Sequence, residues 1–428
     1  MKKMEKQSKR LFKAIIFALA LSLLSSCGYE PVFYGIMHDV LPEDATVNGN
    51  ITSIARASTN PSDPAAEYIF LSGGGALKYK TLASSQHGDW KVVQNLPFAL
   101  HYYNYFPSST TPEGHIGQQI LRVLADRDYL YLLSASYTTD TEYGIVLPEK
   151  FYLWSCPLSK ILNAKSDDWV DLTKDKQALF ITQYKSSEGS FQTYFNFFMT
   201  NSPNPAHRKA YFVQTPAGQD AKYYALEGTS LREISSIASE GSFIAVNKDN
   251  TRANSAFYLG DTLYFSDSLV VTTNESSSSP ANLACLAGIS TSYYSTRELF
   301  TFDGSQTQSL LETDTPIASL MMTADSMLIG KGSYTSSYTS NGGIDRVLLQ
   351  ADGKPENTIS DFTNNAKYQF TSAYIMMAML CADPSKSEAE ADLYAAVTFR
   401  GTSGSSSASF DNIGLWSYYP GRGNWNRE

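Results

Sequence analysis

The residue with the clearest chemical context is Cys27, which ends the stretch Leu24-Ser25-Ser26-Cys27. Residues 1–13 carry six basic side chains and one acidic one, and residues 14–24 are uncharged and almost wholly apolar. A basic region followed by a short apolar run is typical of an export signal. The run is shorter than the ~20 apolar residues that cross a bilayer comfortably. We therefore interpret the thiol at the end of this run as an attachment point and not as a structural or catalytic group.

The order of basic region, apolar run, two small residues and cysteine resembles the lipobox of bacterial lipoproteins. In that family the thiol receives a diacylglycerol, the signal is cleaved before the cysteine, and the new amino group is acylated. The resemblance implies a signal peptide at 1–26 and a lipidated N-terminus and linker at 27–60, with the lipid on Cys27 as the only attached group. Several acyl chains hold a protein firmly at a membrane, whereas one chain does so marginally. A plain secretory signal with an incidental cysteine is the alternative.

The resemblance also implies a location in the bacterial cell envelope. Gly28 stands where an aspartate retains enteric lipoproteins in the inner membrane, so the outer membrane is favoured; the side that the protein faces is left open. The whole chain has a net charge of −9, and removal of residues 1–27 leaves 27 basic and 41 acidic residues, or −14. Such an acidic protein is a poor match for nucleic acid or for anionic lipid surfaces.

Short strand-like runs joined by turn residues dominate the rest of the chain. Aromatic residues make up 13% and charged residues 18% of the sequence, and the composition favours strands and turns over helices. Hairpin signals, in which two such runs flank a turn, recur six times. These hairpins are predicted at 76–93, 151–172, 222–235, 298–312, 345–359 and 414–428.

A further strand is predicted before each hairpin, and a fourth before several of them, so the unit is four strands repeated about six times. Recurring four-stranded units are the sequence signature of a β-propeller. A single ordinary core does not suit ~400 residues, whereas propeller blades pack only on their neighbours. We predict an all-β fold, a single propeller of about six four-stranded blades over residues 61–428, with seven blades left open. Two unrelated β-sandwiches are the alternative.

The first unit, with Gly73-Gly74-Gly75, Tyr79 and Trp90, resembles a kelch repeat, and this resemblance covers about one blade. The Ser- and Tyr-rich composition is similar in style to that of uncharacterised spirochaetal lipoproteins. Kelch propellers have diverse partners, so the resemblance implies a fold and not a function.

Motifs that would indicate an enzyme or a metal site do not occur in the sequence. The five histidines form no paired motif, and Cys156, Cys285 and Cys381 lie in apolar settings without metal-ligand spacing. We predict buried free thiols, with one disulfide among the three as the alternative. The aromatic stretch at 98–106 could line a ligand pocket, but a place in the core is favoured.

Sialidase-like glycosidases are also propellers, and their outer hairpins carry Asp-box repeats. Residues 84–90, "SSQHGDW", have the Ser, Gly and Trp of that box but lack the in-frame Asp and are one residue short. The carboxylate constellation that glycoside hydrolysis requires is not recognisable. We therefore predict a membrane-anchored, non-catalytic binding or scaffolding propeller, without catalytic or metal-binding residues. A sialidase-like glycoside hydrolase or a carbohydrate-binding propeller is the alternative.

Long loops rich in Ser, Tyr and Gly join the second and third strands of four predicted blades, at 138–149, 272–296, 333–344 and 400–413. Antiparallel strands place these loops on one face, where Tyr provides contact area at low entropy cost. Tolerated insertions are the alternative explanation. The expected partners are the membrane, through the lipid, and an unidentified protein or glycan, with a monomeric chain and no nucleic acid. Partner contacts are predicted at Tyr143, Tyr293, Tyr294, Tyr334 and Tyr338.

Overall fold

The structure is a computed structural model, and its described residues belong to a compact unit that spans Ala45–Glu428. They are residues 47, 51–73, 76–82, 90–99, 118–140, 145–176, 184–185, 190–191, 193–199, 209–216, 222–235, 256–259, 262–266, 298–302, 307–315, 317–332, 342–351, 355–362, 375–382, 386–399, 414–421 and 424–428.

The first half of this unit folds into three four-stranded antiparallel sheets, each built from consecutive strands in sequence order. Blade 1 contains β1 (Ile51–Ser58), β2 (Glu67–Gly73), β3 (Ala76–Thr81) and β4 (Lys91–Val92). Blade 2 contains β5 (Gln119–Ala125), β6 (Tyr129–Asp140), β7 (Ile145–Pro157) and β8 (Val170–Asp171). A two-stranded sheet of β9 (Tyr184–Lys185) and β10 (Ser190–Phe191) precedes blade 3, which contains β11 (Thr193–Met199), β12 (Ala210–Pro216), β13 (Lys222–Glu227) and β14 (Ser230–Ile234).

The second half repeats the same plan three more times. Blade 4 contains β15 (Ala256–Leu259), β16 (Thr262–Ser266), β17 (Glu298–Phe302) and β18 (Thr307–Glu312). Blade 5 contains β19 (Ile317–Met322), β20 (Ser326–Lys331), β21 (Gly343–Leu349) and β22 (Pro355–Asp361). Blade 6 contains β23 (Ile375–Cys381), β24 (Leu393–Phe399), β25 (Gly414–Tyr419) and β26 (Asn424–Arg427). The helical residues within the described ranges are three 3₁₀ turns at Pro64–Ala66, Ile161–Asn163 and Ser166–Asp168.

The sheets form a six-bladed β-propeller, which confirms the predicted fold and blade number. First strands contact one another between blades 1 and 2, blades 2 and 3, blades 4 and 5, and blades 5 and 6. Strand β1 also contacts β23, so that blade 1 adjoins blade 6. Buried apolar clusters fill the interfaces between blades 1 and 2, between blades 5 and 6, and between blades 6 and 1. All six predicted hairpins coincide with the third and fourth strands of a blade.

Two predicted boundaries differ from the structure. Strand β1 lies inside the range 27–60 that the sequence assigned to a linker, so the blades begin before residue 61. The signal is weak because only one large hydrophobic residue of the strand, Ile51, is fully buried, and its other buried residues are small or polar, such as Ala55 and Ala57. The predicted loop 138–149 is mostly strand, since β6 and β7 stay paired as far as Asp140 and Ile145. Thr138, Thr139 and Val146 have side chains that favour strands, which suits a two-stranded ribbon.

One hydrogen bond recurs at the outer edge of four blades and marks equivalent positions. The residue that directly follows the fourth strand donates its amide N–H to a third-strand carbonyl, and we call this residue the forward position because it faces the next blade. The four bonds run from Val93 to Leu77, Leu172 to Leu153, Phe362 to Ile344 and Glu428 to Leu415, at 2.8–2.9 Å.

Two further positions follow from this alignment. The first, which we call the backward position, lies three residues after the residue whose carbonyl accepts this bond, and it faces the preceding blade. The second lies three residues before the forward position and is a tryptophan in blades 1, 2 and 6. The backward residues of these blades are Lys80, Cys156 and Tyr418, and the tryptophans are Trp90, Trp169 and Trp425. In these three blades the tryptophan that precedes or opens the outer strand packs in the cluster between neighbouring blades and so covers the flank of its blade.

Blades 2 and 3 are joined by a different contact. The hydroxyl of Tyr131 donates to Asp126 Oδ2 at 2.6 Å and accepts the amide N–H of Gly228 at 2.8 Å. Gly228 has φ +61°, and a Cβ atom there would lie 2.6 Å from Cε2 of Tyr129. Glycine is thus required both by the left-handed backbone and by the close approach of the ring.

Replacement of Trp169 by alanine should destabilise the propeller by about 3–5 kcal/mol, because the side chain is buried between blades 1 and 2. Its Nε1 has no hydrogen-bond partner among the described residues, so Trp169→Phe should cost clearly less. Urea denaturation of the two variants beside the wild type measures the difference. An unchanged midpoint for Trp169→Ala would show that the ring does not anchor the blade.

Candidate functional site

The residues predicted for lipidation and partner binding lie outside the described residues. This holds for Cys27 and for all five tyrosines, Tyr143, Tyr293, Tyr294, Tyr334 and Tyr338. Of the three remaining cysteines, Cys156 is a buried free thiol, as predicted, and burial raises its pKa to about 12. Cys285 also lies outside the described residues.

The described ranges contain neither a candidate metal site nor a candidate membrane-spanning helix. No cluster of three or more His, Cys, Asp or Glu side chains there could hold a metal ion. No helix in the same part of the chain is long and apolar enough to cross a membrane.

A buried cluster that contains two opposite charges lies where blade 6 meets blade 1. We call it the closing seam and define it by Lys80, Trp90, Tyr394, Tyr419 and Glu428. Blade 1 contributes the lysine on β3 and the tryptophan just before β4, and blade 6 contributes the other three side chains. The lysine side chain is 1% exposed and the glutamate side chain 0% exposed.

Hydrogen bonds link every member of the closing seam. Lys80 Nζ lies 2.6 Å from the hydroxyl of Tyr419 and 3.2 Å from Glu428 Oε2. Trp90 Nε1 donates to the same carboxylate oxygen at 2.7 Å, and the Tyr419 hydroxyl donates to Oε1. The hydroxyls of Tyr394 and Tyr419 are 3.5 Å apart. Both carboxylate oxygens are thus satisfied, which a buried charge requires.

Aromatic rings surround the buried ammonium group. Lys80 Nζ lies 5.0 Å from the ring centroid of Tyr419 and 5.7 Å from those of Trp90 and Tyr394. The electron-rich faces of aromatic rings attract a cation within about 6 Å. The lysine therefore has both a counter-ion and a cation–π environment in place of the water that it loses.

The protonation states of the closing seam follow from its surroundings. Burial alone would raise the pKa of Glu428, but the Lys80 charge and the hydrogen bonds from Ser417, Tyr419 and Trp90 outweigh burial and lower it. Burial, followed by the nearby Glu428 carboxylate, raises the pKa of Tyr419. Burial also raises the pKa of Tyr394. At neutral pH the glutamate is therefore charged, and both phenols keep the protons that they donate.

The same three positions are apolar at the other two seams that repeat this geometry. Between blades 1 and 2, forward Val93 meets backward Cys156 and Trp169 in one buried cluster. Between blades 5 and 6, forward Phe362 lies 5.6 Å from the ring of Tyr418 and 6.1 Å from that of Trp425. Only at the closing seam, among these three, do a glutamate and a lysine take the forward and backward positions.

This arrangement can perform no reaction on a ligand, because both charges are buried and paired. Its chemical role is to hold the last blade against the first. Sequence reasoning missed Lys80 and Glu428, although the signal was present. The stretches "WKVV" (90–93), "WVDL" (169–172) and "WNRE" (425–428) share a tryptophan, and the fourth residue changes from apolar to acidic only in the last.

No family model matches the chain, and no curated protein does either. Similar solved structures include AofleA from Arthrobotrys oligospora, at 9% identity over 90% of this chain and 87% of that chain, with a TM-score of 0.39. The Aleuria aurantia lectin, described as a six-bladed β-propeller with a novel fucose recognition mode, matches at 8% identity over 89% and 96%, with a TM-score of 0.35. The GH43_1 enzyme from Xanthomonas citri, complexed with xylose, matches at 10% identity over 74% and 92%, with a TM-score of 0.33.

At such identities and TM-scores, the similarity carries no argument about what the chain binds. The assignment to the propeller class rests on the chain's own six four-stranded sheets.

Removal of one partner from the closing seam should be far more damaging than removal of both. Lys80→Met leaves a buried, uncompensated carboxylate and should lower the free energy of unfolding by about 3–5 kcal/mol. The double variant Lys80→Met/Glu428→Val recreates the apolar seam of blades 1 and 2, and should regain most of that loss. Urea denaturation of the wild type, both single variants and the double variant gives the coupling energy.

The matched control is the Lys160–Asp168 pair, whose lysine side chain is 58% exposed. Lys160→Met should change stability little, since exposed ion pairs contribute little. Equal losses for the buried and the exposed lysine would refute the role assigned to the closing seam.

Acid should weaken the closing seam through Glu428. Its folded-state pKa lies below the ordinary glutamate value of ~4.3, so the seam contributes stability above that pH and loses it as pH falls through the folded pKa. The free energy of unfolding of the wild type should therefore fall more steeply with acidification below about pH 4.3 than that of the double variant. Parallel pH profiles from urea titrations would contradict this.

Proposed function

We propose that the chain is a lipid-anchored protein of the bacterial cell envelope whose propeller is a non-catalytic binding scaffold. The observation that carries this proposal is the ordered signal that ends in Leu24-Ser25-Ser26-Cys27, followed by a closed six-bladed propeller. The anchor would be a diacylglycerol and an acyl chain on Cys27, with the outer membrane favoured over the inner one and the chain acting as a monomer.

The topology of the blades supports a binding role for one face. Strands alternate in direction, so the segments between second and third strands attach at the same end of the sheets as the links between blades. Tyr143 lies between β6 and β7, and the pairs Tyr293–Tyr294 and Tyr334–Tyr338 lie in the corresponding segments of blades 4 and 5. All five tyrosines therefore belong to connections of one face, where a rigid scaffold would present them to a partner.

A carbohydrate-binding propeller is the second candidate. It is favoured by a group of partly exposed aromatic side chains between blades 1 and 2, described in the next subsection. A sialidase-like hydrolase is less well supported, because the sequence lacks a recognisable Asp box and its carboxylate constellation.

Replacement of Cys27 by serine should abolish lipid attachment, because the serine hydroxyl cannot form the thioether. In cells fed a clickable palmitate analogue, the wild type should incorporate the label and partition with membranes. Cys27→Ser should incorporate no label, and should be released from membranes or remain unprocessed. Cys285→Ser, which leaves Cys27 in place, is the matched control and should behave as the wild type. A cleaved Cys27→Ser product that still partitions with membranes would overturn the anchor.

A further inference from the structure

Three aromatic side chains form a partly exposed group at the junction of blades 1 and 2. Phe98 belongs to the link that leaves blade 1, and Tyr152 and Trp154 belong to β7 of blade 2. The rings of Tyr152 and Trp154 are nearly parallel, at 18°, with centroids 6.3 Å apart, and the Phe98 centroid lies 5.7 Å from that of Trp154. Phe98 and Trp154 also pack against the buried cluster between the two blades, which fixes their positions.

Gln118 extends this group with an oriented amide. Its Oε1 accepts hydrogen bonds from Trp154 Nε1 at 3.3 Å and from the Ser134 hydroxyl at 2.5 Å. Because an indole N–H can only donate, the amide oxygen must face it. The two N–H donors of Gln118 Nε2 then point away from these partners, and they make no hydrogen bond with the described residues. We call Phe98, Gln118, Tyr152 and Trp154 the aromatic–amide cluster.

Comparison with other blades shows that folding does not require this aromatic pair. Tyr152 directly precedes the third-strand residue whose carbonyl accepts the recurring hydrogen bond. The equivalent position is occupied by Ala76 in blade 1, Gly343 in blade 5 and Gly414 in blade 6. The position of Trp154 in blade 6 is Trp416, which is completely buried. Blade 2 thus places a large ring where three other blades have a small residue or none, and keeps its tryptophan partly exposed.

The location of the cluster suits access to a ligand. Tyr152 lies near the start of the four-stranded part of β7, at the end of the sheet from which the β6–β7 ribbon extends. This is the face to which the segments with the five tyrosines attach. Gln118 is held at the same end by its backbone N–H, which donates to the carbonyl of Ala99 at 2.8 Å.

A neutral sugar ring matches this chemistry. Aromatic faces suit the apolar C–H face of a pyranose, and a few fixed polar groups orient a ligand in an otherwise apolar site. The amide N–H groups of Gln118 can donate hydrogen bonds to a sugar hydroxyl oxygen. An anionic ligand is disfavoured by the mature chain's net charge of −14, obtained from 27 basic and 41 acidic residues.

We propose that the aromatic–amide cluster is a binding site for a neutral pyranose unit of a glycan. The inference rests on the proposed function, since it names the ligand class and the site of the binding scaffold. Tyr152 and Trp154 supply the stacking surface, and Gln118 supplies the hydrogen-bond donor. Phe98 closes one side of that surface.

The test uses the full lipidated chain in detergent. The probes are the methyl glycosides of glucose, galactose, mannose, fucose and N-acetylglucosamine, titrated by intrinsic tryptophan fluorescence and by saturation-transfer NMR. At least one probe should bind saturably. Tyr152→Gly, which copies blade 6, should weaken that binding about two- to twelvefold, the range expected for one aromatic contact. Gln118→Glu keeps the acceptor for Trp154 but loses the donor, and should weaken binding to a similar extent.

Both variants should still unfold in one cooperative thermal transition, although Tyr152→Gly should melt somewhat lower because glycine weakens a strand. Leu348→Ala, at an exposed hydrophobic residue on blade 5, is the control that should bind as the wild type. Binding of none of the five probes, or unchanged affinity in Tyr152→Gly, would overturn the sugar site. Crosslinking in native membranes separates this from the proposed function. If Tyr152→Gly captures a partner as well as the wild type does, only the sugar site is overturned. If the wild type captures no partner and binds no probe, the binding role itself is overturned.

Discussion

The buried ion pair of Lys80 and Glu428 is the contact on which the integrity of the ring depends. Each blade consists of consecutive strands, so no described sheet takes one strand from each end of the chain. The ring is therefore closed by packing between blade 6 and blade 1 and by the backbone hydrogen bond from Val47 to Glu428. Every other neighbouring pair of blades is also joined by a covalent link. The closing seam has no such link, and its members include two charges that are expensive to leave unpaired.

A shared geometry lets the seams be compared residue by residue. Val93, Phe362 and Glu428 occupy the same forward position, yet they meet Cys156, Tyr418 and Lys80 respectively. If side-chain volume alone mattered, the apolar forward residue of one seam could also pack against the apolar backward residue of a different seam. A charged residue cannot be exchanged in this way. Burial of an ammonium group without its carboxylate costs far more free energy of folding than poor packing of a methyl group. The ion pair thus gives the closing seam a partner requirement that apolar seams lack.

The sequence predicted the repeating architecture because local signals specify it. Turn residues and alternating apolar residues mark a hairpin without knowledge of distant contacts, and all six hairpins were found. Strand β1 was missed because most of its buried residues are small or polar, so that its burial depends on contacts with β2, β5 and β23 and not on a local preference. The closing seam and the aromatic–amide cluster were missed for a similar reason. Lys80 and Glu428 are 348 residues apart, and Gln118 and Trp154 meet only once blade 2 has folded, so their roles are visible only in three dimensions.

The separation of Lys80 from Glu428 also bears on the order in which the propeller is completed. Contacts between residues so distant in sequence form late, because the loop between them must be closed first. Until then blade 1 exposes a flank that has no neighbour, and an exposed apolar flank would adhere to any other incomplete chain nearby. A lysine on that flank keeps it hydrated until the last residue of blade 6 arrives with the matching charge. We therefore expect the unpaired lysine to disfavour aggregation while the ring is incomplete, a role that the completed ring no longer displays.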